Sequence, residues 1–275
     1  MGSRLRYTVR AFNTATASTN KIHDDDVARG LGFRGGLVPG VDVYAYLCHL
    51  PAERWGREWV ERGTMTARIR SPVYDGDLVE VIAEPEPVPG GGEALTFELR
   101  DPSGEACAVG RASLPDEPVG APRQPREPGE WPVGDPPAEP PPVSATALRA
   151  RPFGQLRAGF HAAAAEAYLD EVREDLPLFR DPQSGIAHPA WLLRFANYVL
   201  SANVRLGPWI HVESTVQHLS AVEDGDTVET RALVTGVRER NGHELVDLDV
   251  LQLVDDRAVA RTAHSAIYRL RGAGH

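Results

Sequence analysis

Ser71-Pro-Val-Tyr-Asp-Gly-Asp-Leu-Val-Glu80 returns as Ser220-Ala-Val-Glu-Asp-Gly-Asp-Thr-Val-Glu229. The same shift of 149 carries residues 36 to 83 onto 185 to 232 without a gap, and Gly36, Thr66 and Ala83 meet Gly185, Thr215 and Ala232. Asp-Gly-Asp is a turn signal, because aspartate bonds its own backbone and glycine accepts a left-handed conformation. A gapless match of this length marks a duplication, so the chain is read as two related units.

Upstream of each turn lies one apolar helix. Val43, Tyr46, Leu47 and Leu50 fall at helical spacing, and the shift places Leu192, Phe195, Ala196 and Val199 upon them. Val41, Tyr44, Ala45 and Cys48 add a second stripe, so the first helix is expected to be enclosed on all sides. Strands are predicted at 5–12, 64–69, 78–84, 94–99 and 106–114, then at 214–219, 227–237, 244–254 and 258–270. Of the 23 prolines, 11 lie between Pro115 and Pro142, in a stretch without periodicity that reads as a linker. The expected division is 1–117, a linker at 118–143, and 144–275.

Composition narrows the class. With 42% hydrophobic and 25% charged residues the chain is ordinary for a globular protein. A net charge of −10 argues against a nucleic-acid partner, whose phosphates call for lysine and arginine. No apolar run reaches a membrane span, and Met1-Gly2-Ser3-Arg4-Leu5-Arg6 does not read as a signal peptide, so a cytoplasmic location and no membrane partner are expected. Cys48 and Cys107 lack the spacing of a metal site and read as buried apolar residues. The glycines at 30–40 have neither the P-loop lysine nor dinucleotide-binding spacing, so no metal or cofactor is expected.

The chemistry-bearing segment is 18–40: Ser-Thr-Asn-Lys-Ile-His-Asp-Asp-Asp-Val-Ala-Arg-Gly-Leu-Gly-Phe-Arg-Gly-Gly-Leu-Val-Pro-Gly. It resembles the hydratase segment of the MaoC-like, (R)-specific enoyl thioester hydratase family, whose pattern is Asp-x-Asn-x-x-His followed by a glycine-rich approach to a central helix. Asn20 and His23 fit that pattern, and Gly40 matches the glycine whose amide polarises the thioester carbonyl. The resemblance implies an α+β double hot-dog, two antiparallel sheets each wrapped around one helix. It also implies a hydratase or dehydratase acting on acyl-CoA or carrier-bound acyl thioesters, with His23 as acid/base and Asn20 orienting.

Two positions depart from the pattern: Ser18 stands where the family has its catalytic aspartate, and Pro39 where it usually has histidine. Because serine cannot take a proton at neutral pH, a thioesterase and a non-catalytic acyl-thioester binder stay open beside the hydratase. Substrate-binding candidates are Arg34, Gly36, Val38, Tyr44 and Trp191. Phe160 and Tyr198 are further wall candidates, while Arg29, Arg68 and Arg70 are either phosphate contacts or plain surface charge. His188 is a secondary candidate, and His264 beside Ser265 reads as a core or surface histidine. A local account also exists, in which Asn20 caps a short helix, three aspartates favour its positive end and Gly30 ends it. The shift sends Asn20 and His23 to Leu169 and Val172, so one site per chain is expected, in a monomer or homodimer.

Overall fold

The computed structural model describes residues 3–88, 92–115, 130–150, 152–183 and 185–272. In chain order these form β1 (Leu5–Arg10), a 3-10 turn (Lys21–His23), α1 (Asp25–Gly30), α2 (Gly40–Arg62), β2 (Thr64–Ile69), β3 (Leu78–Pro87), β4 (Glu93–Arg100) and β5 (Ala106–Leu114). The second series is α3 (Ala145–Ala150), β6 (Leu156–Gly159), α4 (Ala162–Glu171), α5 (Pro177–Arg180), α6 (Pro189–Asn203), β7 (Ile210–His218), β8 (Thr227–Arg240), β9 (His243–Val254) and β10 (Arg257–Arg269).

All strands join one 10-stranded sheet in the order β1-β3-β4-β5-β2-β7-β10-β9-β8-β6. The order reads the same from either end once each strand is exchanged for its counterpart. At the centre β2 pairs antiparallel with β7, Thr66 opposite Thr215, with Thr64 against Gln217 and Arg68 against Glu213. Thr66 and Thr215 are themselves 149 apart, and their hydroxyls meet at 3.2 Å. A residue pairing with its own counterpart is the mark of a two-fold axis, so the duplicated halves sit as two subunits of a dimer would.

The shift also governs detail. Asn13 N–H donates to Asp75 Oδ1, and Ala162 N–H donates to Asp224 Oδ1, each at 2.8 Å. Gly76 has φ 78° and Gly225 φ 87°, left-handed values that explain glycine in both turns. β1 stops at Arg10, two residues short of the expected end, because Ala11 N–H and C=O are taken by Asp77 and Gly76 at the turn.

The sheet wraps α2 as expected: every residue from Val41 to Ala52 is buried. That burial holds the long apolar helix, since Pro51 within it and non-helical Gly56 (φ 62°, ψ −146°) would weaken it alone. Both cysteines are buried and free. Of the expected linker, 118–129 lie outside the described residues. Trp131, by contrast, is 3% exposed against Leu251 and Leu253, because its indole covers apolar side chains on the outer face of the second half-sheet. Four elements of the second unit went unforeseen: the short α3, the four-residue β6, the short α5, and α4, which by the shift takes the place of residues 13–22. No helix among the described residues is long and apolar enough to cross a membrane.

Candidate functional site

The 3-10 turn and α1 divide the capping expected of one helix. Asn20 caps the turn by accepting from Ile22 N–H at 3.4 Å, and Asp24 caps α1 by accepting from Asp26 and Val27 N–H. Leu31, not Gly30, is the C-cap. None of the three aspartates bonds His23: Asp25 and Asp26 pair with Arg29, and Asp25 Oδ1 also accepts from Gly36 N–H at 2.8 Å.

Asn20 is 8% exposed and locked across the two units. Its Nδ2 donates to Trp209 C=O at 3.0 Å, while Trp209 N–H donates back to Oδ1 at 3.2 Å. The second Nδ2 hydrogen reaches His23 Nε2 at 3.3 Å. On the far side of the ring His23 Nδ1 donates to Leu37 C=O at 2.7 Å. A neutral imidazole bonded this way carries its proton on Nδ1 and a lone pair on Nε2. Burial lowers the His23 pKa, opposed by the Leu37 hydrogen bond and the Asp42 charge, so the ring is neutral and basic at pH 7.

Three cavities lie in series, and His23 lines the first two. An outer cleft of about 430 Å³ has Ser18, Asn20, His23, Arg194, Asn197 and Tyr198 on its walls. A throat of about 30 Å³ touches Asn20, His23, Val38, Gly40, Trp209 and His211. Beyond it an inner cavity of about 230 Å³ is walled mainly by apolar side chains, among them Phe33, Val38, Val43, Ile69, Val73 and Ile267. The throat is narrow because a Cβ on residue 40 would lie 2.6 Å from Ile69 Cδ1 and 2.8 Å from His211 Nδ1, so glycine is required there.

Gly40 opens α2, whose N-cap Pro39 makes no side-chain cap bond. First-turn amides have no partner inside a helix, so Gly40 N–H is available as a donor at the throat. The counterpart in the second unit is shut: N-cap His188 accepts from Ala190 N–H at 3.1 Å, and the first helical residue is Pro189, which has no N–H.

The other candidates separate. Val38, 5% exposed, lines throat and inner cavity. Ser18 lies on the outer cleft, its Oγ accepting from Asn20 N–H at 3.1 Å, so it supports Asn20 and presents no acid. Tyr198, 49% exposed, stands on that cleft from the opposite unit. Tyr44 is corrected: at 1% exposure it belongs to the core around α2, because its helix face is enclosed. Trp191 is corrected as well, packing edge-on to Phe160 and Phe195 at 5.3 and 4.9 Å among second-unit aromatics. Gly36 owes its identity to chain packing, since a Cβ there would lie 2.2 Å from His23 C=O. Arg34 is tied to Asp77 at 2.6 Å and stacks on Tyr74, while Arg29 and Arg68 face Asp25 and Glu213. Arg70 lines the inner cavity.

Asp42, Arg194, Asn197, Trp209 and His211 had no reading in the sequence. Asp42, fully buried, pairs with Arg194 at 2.8 Å and accepts from Thr14 Oγ1 at 2.6 Å, clamping α2 to α6 behind the outer cleft. A charge in the apolar first half of α2 and one in α6 were the available signal. Trp209 and His211 arrive from the second unit through the β2–β7 pairing, which no local pattern announces. One trio of metal-ligand residue types, His49, Glu174 and Asp175, converges among the described residues. Two of the three bond each other: Glu174 Oε1 accepts from His49 Nδ1 at 3.0 Å, and also from Asp175 and Leu176 N–H at 2.9 Å.

No family model and no curated protein matches the chain. Solved structures do. One carrying the name MaoC domain protein dehydratase, from Chloroflexus aurantiacus, aligns over 98% of this chain and 96% of its own with TM-score 0.62 at 10% identity. A conserved Mycobacterium tuberculosis protein described as having a double hot-dog fold aligns over 97% and 96%, TM-score 0.57, 15% identity. A structure carrying the name oleoyl thioesterase, from Lactobacillus plantarum, aligns over 98% and 97%, TM-score 0.52, 15% identity. End-to-end likeness at such low identity is likeness of fold, and with the palindromic sheet around two central helices it establishes that this chain is a double hot-dog protein.

Proposed function

We propose that the protein is a MaoC-like enoyl thioester hydratase or dehydratase with one site per chain, acting on acyl-CoA or carrier-bound acyl chains. The observation that supports this reading is the neutral His23, its Nδ1 proton held by Leu37 C=O and its Nε2 in contact with Asn20 Nδ2, on the wall of a cleft between the units at the open N-terminus of α2. The thioester carbonyl sits against Gly40 N–H, the acyl tail enters the inner apolar cavity, and the thiol carrier leaves through the outer cleft.

In hydration water replaces Asn20 Nδ2 at its 3.3 Å contact with His23 Nε2, which takes a proton from that water as the oxygen bonds to C3, and charge gathers on the carbonyl oxygen beside Gly40 N–H. The same nitrogen returns the proton to C2, leaving a 3-hydroxyacyl thioester and a neutral ring. Dehydration is the reverse.

The test is loss of the conjugated absorbance of 2-enoyl thioesters of several chain lengths. Removing a positioned acid/base costs about 10²–10⁴ in rate, so His23→Gln should lose activity by that factor. Unchanged activity in His23→Gln would contradict the mechanism. Ser18 offers no carboxylate where the resemblance calls for one, and this favours a binder as the second reading. Thermal stabilisation by acyl thioesters with neither hydration nor thiol release would select it.

A further inference from the structure

Beside Gly40 stands an assembly that the reading above does not use. His211, on β7, is 4% exposed, Ser214 0% and His264, on β10, 1%. His211 Nε2 lies 2.9 Å from Ser214 Oγ, which lies 2.9 Å from His264 Nδ1. The two imidazoles stack at 4.5 Å with 18° between planes. His211 Nδ1 is buried and makes no hydrogen bond. It lies 2.8 Å from where a Cβ on residue 40 would be, and His211 touches both throat and inner cavity. A buried polar atom with no partner is costly, and its setting at the mouth of a cavity marks it as waiting for one.

The hydroxyl has one hydrogen to give. If Ser214 donates to His211 Nε2 and accepts from His264 Nδ1–H, the neutral His211 ring must carry its own proton on Nδ1, facing the throat. Burial lowers the His211 pKa to about 4, so the ring is neutral at pH 7 and offers a donor without a charge.

We propose that His211 is a second carbonyl-polarising donor of the site, giving Nδ1–H to the thioester oxygen beside Gly40 N–H, with Ser214 as the positioning residue that sets its tautomer. The proposal rests on the thioester reading above. Two preorganised donors at one oxygen stabilise the charge that develops there better than one, and a neutral imidazole does so without a proton leaving it.

The test uses the full chain in a His23→Gln background, where turnover is slowed about 10²–10⁴-fold, and a 2-enoyl thioester of coenzyme A labelled with ¹³C at the carbonyl. The bound carbonyl stretch, read by isotope-edited infrared difference, should fall below its solution value and move back toward it when His211→Phe is added. In the otherwise wild-type protein His211→Phe should lower kcat about 10²-fold with KM little changed, the size of effect seen on removing one such donor. Should His211→Phe fail to fold, the ¹⁵N imidazole spectrum of the wild type decides, with His211 protonated on Nδ1. A bound carbonyl stretch unmoved by His211→Phe, or a proton on Nε2, overturns the role of His211 and leaves the thioester reading standing. Wild-type protein that binds no thioester removes both.

Discussion

The N-termini of α2 and α6 occupy equivalent places in the two units, yet one is open and the other shut. At the first, Pro39 leaves the helix uncapped, Gly40 carries a free amide, and Asn20 and His23 face it. At the second, His188 caps the helix, Pro189 has no amide, and Leu169 and Val172, 2% and 1% exposed, fill the space. Tyr198 on the open cleft corresponds by the shift to His49, which is buried against Glu174. Asp25 at the surface corresponds to Glu174. The scaffold therefore offers two equivalent places for a site, and these six pairs of positions separate the open copy from the shut one. The copy without a site keeps its polar residues as a closed internal network.

The largest way to probe this contrast is acid. Burial lowers the pKa of His211 to about 4 beside the open mouth, lowers that of His264 well below its ordinary value, and lowers that of His218 near the shut one. These rings are neutral when folded and take protons near pH 6.5 when unfolded, so their stability is complete above that pH and is lost as pH falls. Each contributes a slope of up to about 1.4 kcal/mol per pH unit. Glu174 is different. Hydrogen bonds and charge from His188 and His49 outweigh its burial and hold its carboxyl well below the usual range, so its contribution is complete above about pH 4.3 and is lost only below. Thermal melts across pH 7 to 3 should show a decline beginning near 6.5, and Glu174→Gln should retain that upper arm while flattening the lower one. A flat profile between pH 6.5 and 4.5 would contradict the assignment of neutral buried histidines.

Glu174→Gln at neutral pH comes next. Glu174 Oε2 lies 3.5 Å from His188 Nε2, Oε1 takes His49 and two amides, and the residue is 2% exposed. Removing one charge from such a buried network costs about 3 kcal/mol, a fall in Tm of roughly 10 °C in a protein of this size. The smallest effect belongs to its counterpart. Asp25→Asn retains an oxygen for Gly36 N–H and loses only a solvent-exposed pairing with Arg29, so its melt should overlay the wild type. Equal losses from the two variants would erase the distinction between an outer and an inner carboxylate.

The duplication was legible because the Asp-Gly-Asp turns and the strand after them are contiguous and keep their register. Asn20, His23 and Gly40 were legible for the same reason, lying within one segment that closes on itself through Leu37. Trp209 and His211 were not, since they reach the throat only when β7 pairs with β2, a contact between distant parts of the chain. Tyr44 was misplaced because an all-round apolar helix does not say which stripe meets a cavity. Trp191 was misplaced because aromatic size suits a core as well as a wall. The short β6 and the alanine-rich α4 carry too little contrast between polar and apolar faces to be read.

The most direct test follows imidazole resonances in the ¹⁵N-labelled protein while a non-reacting, saturated ketone analogue of an acyl coenzyme A, with one methylene between sulfur and carbonyl, is added. The account predicts that His23 and His211 shift together and saturate at one analogue per chain, while His49 and His188 stay where they are. Movement of His49 and His188, or saturation with His23 unmoved, would contradict it.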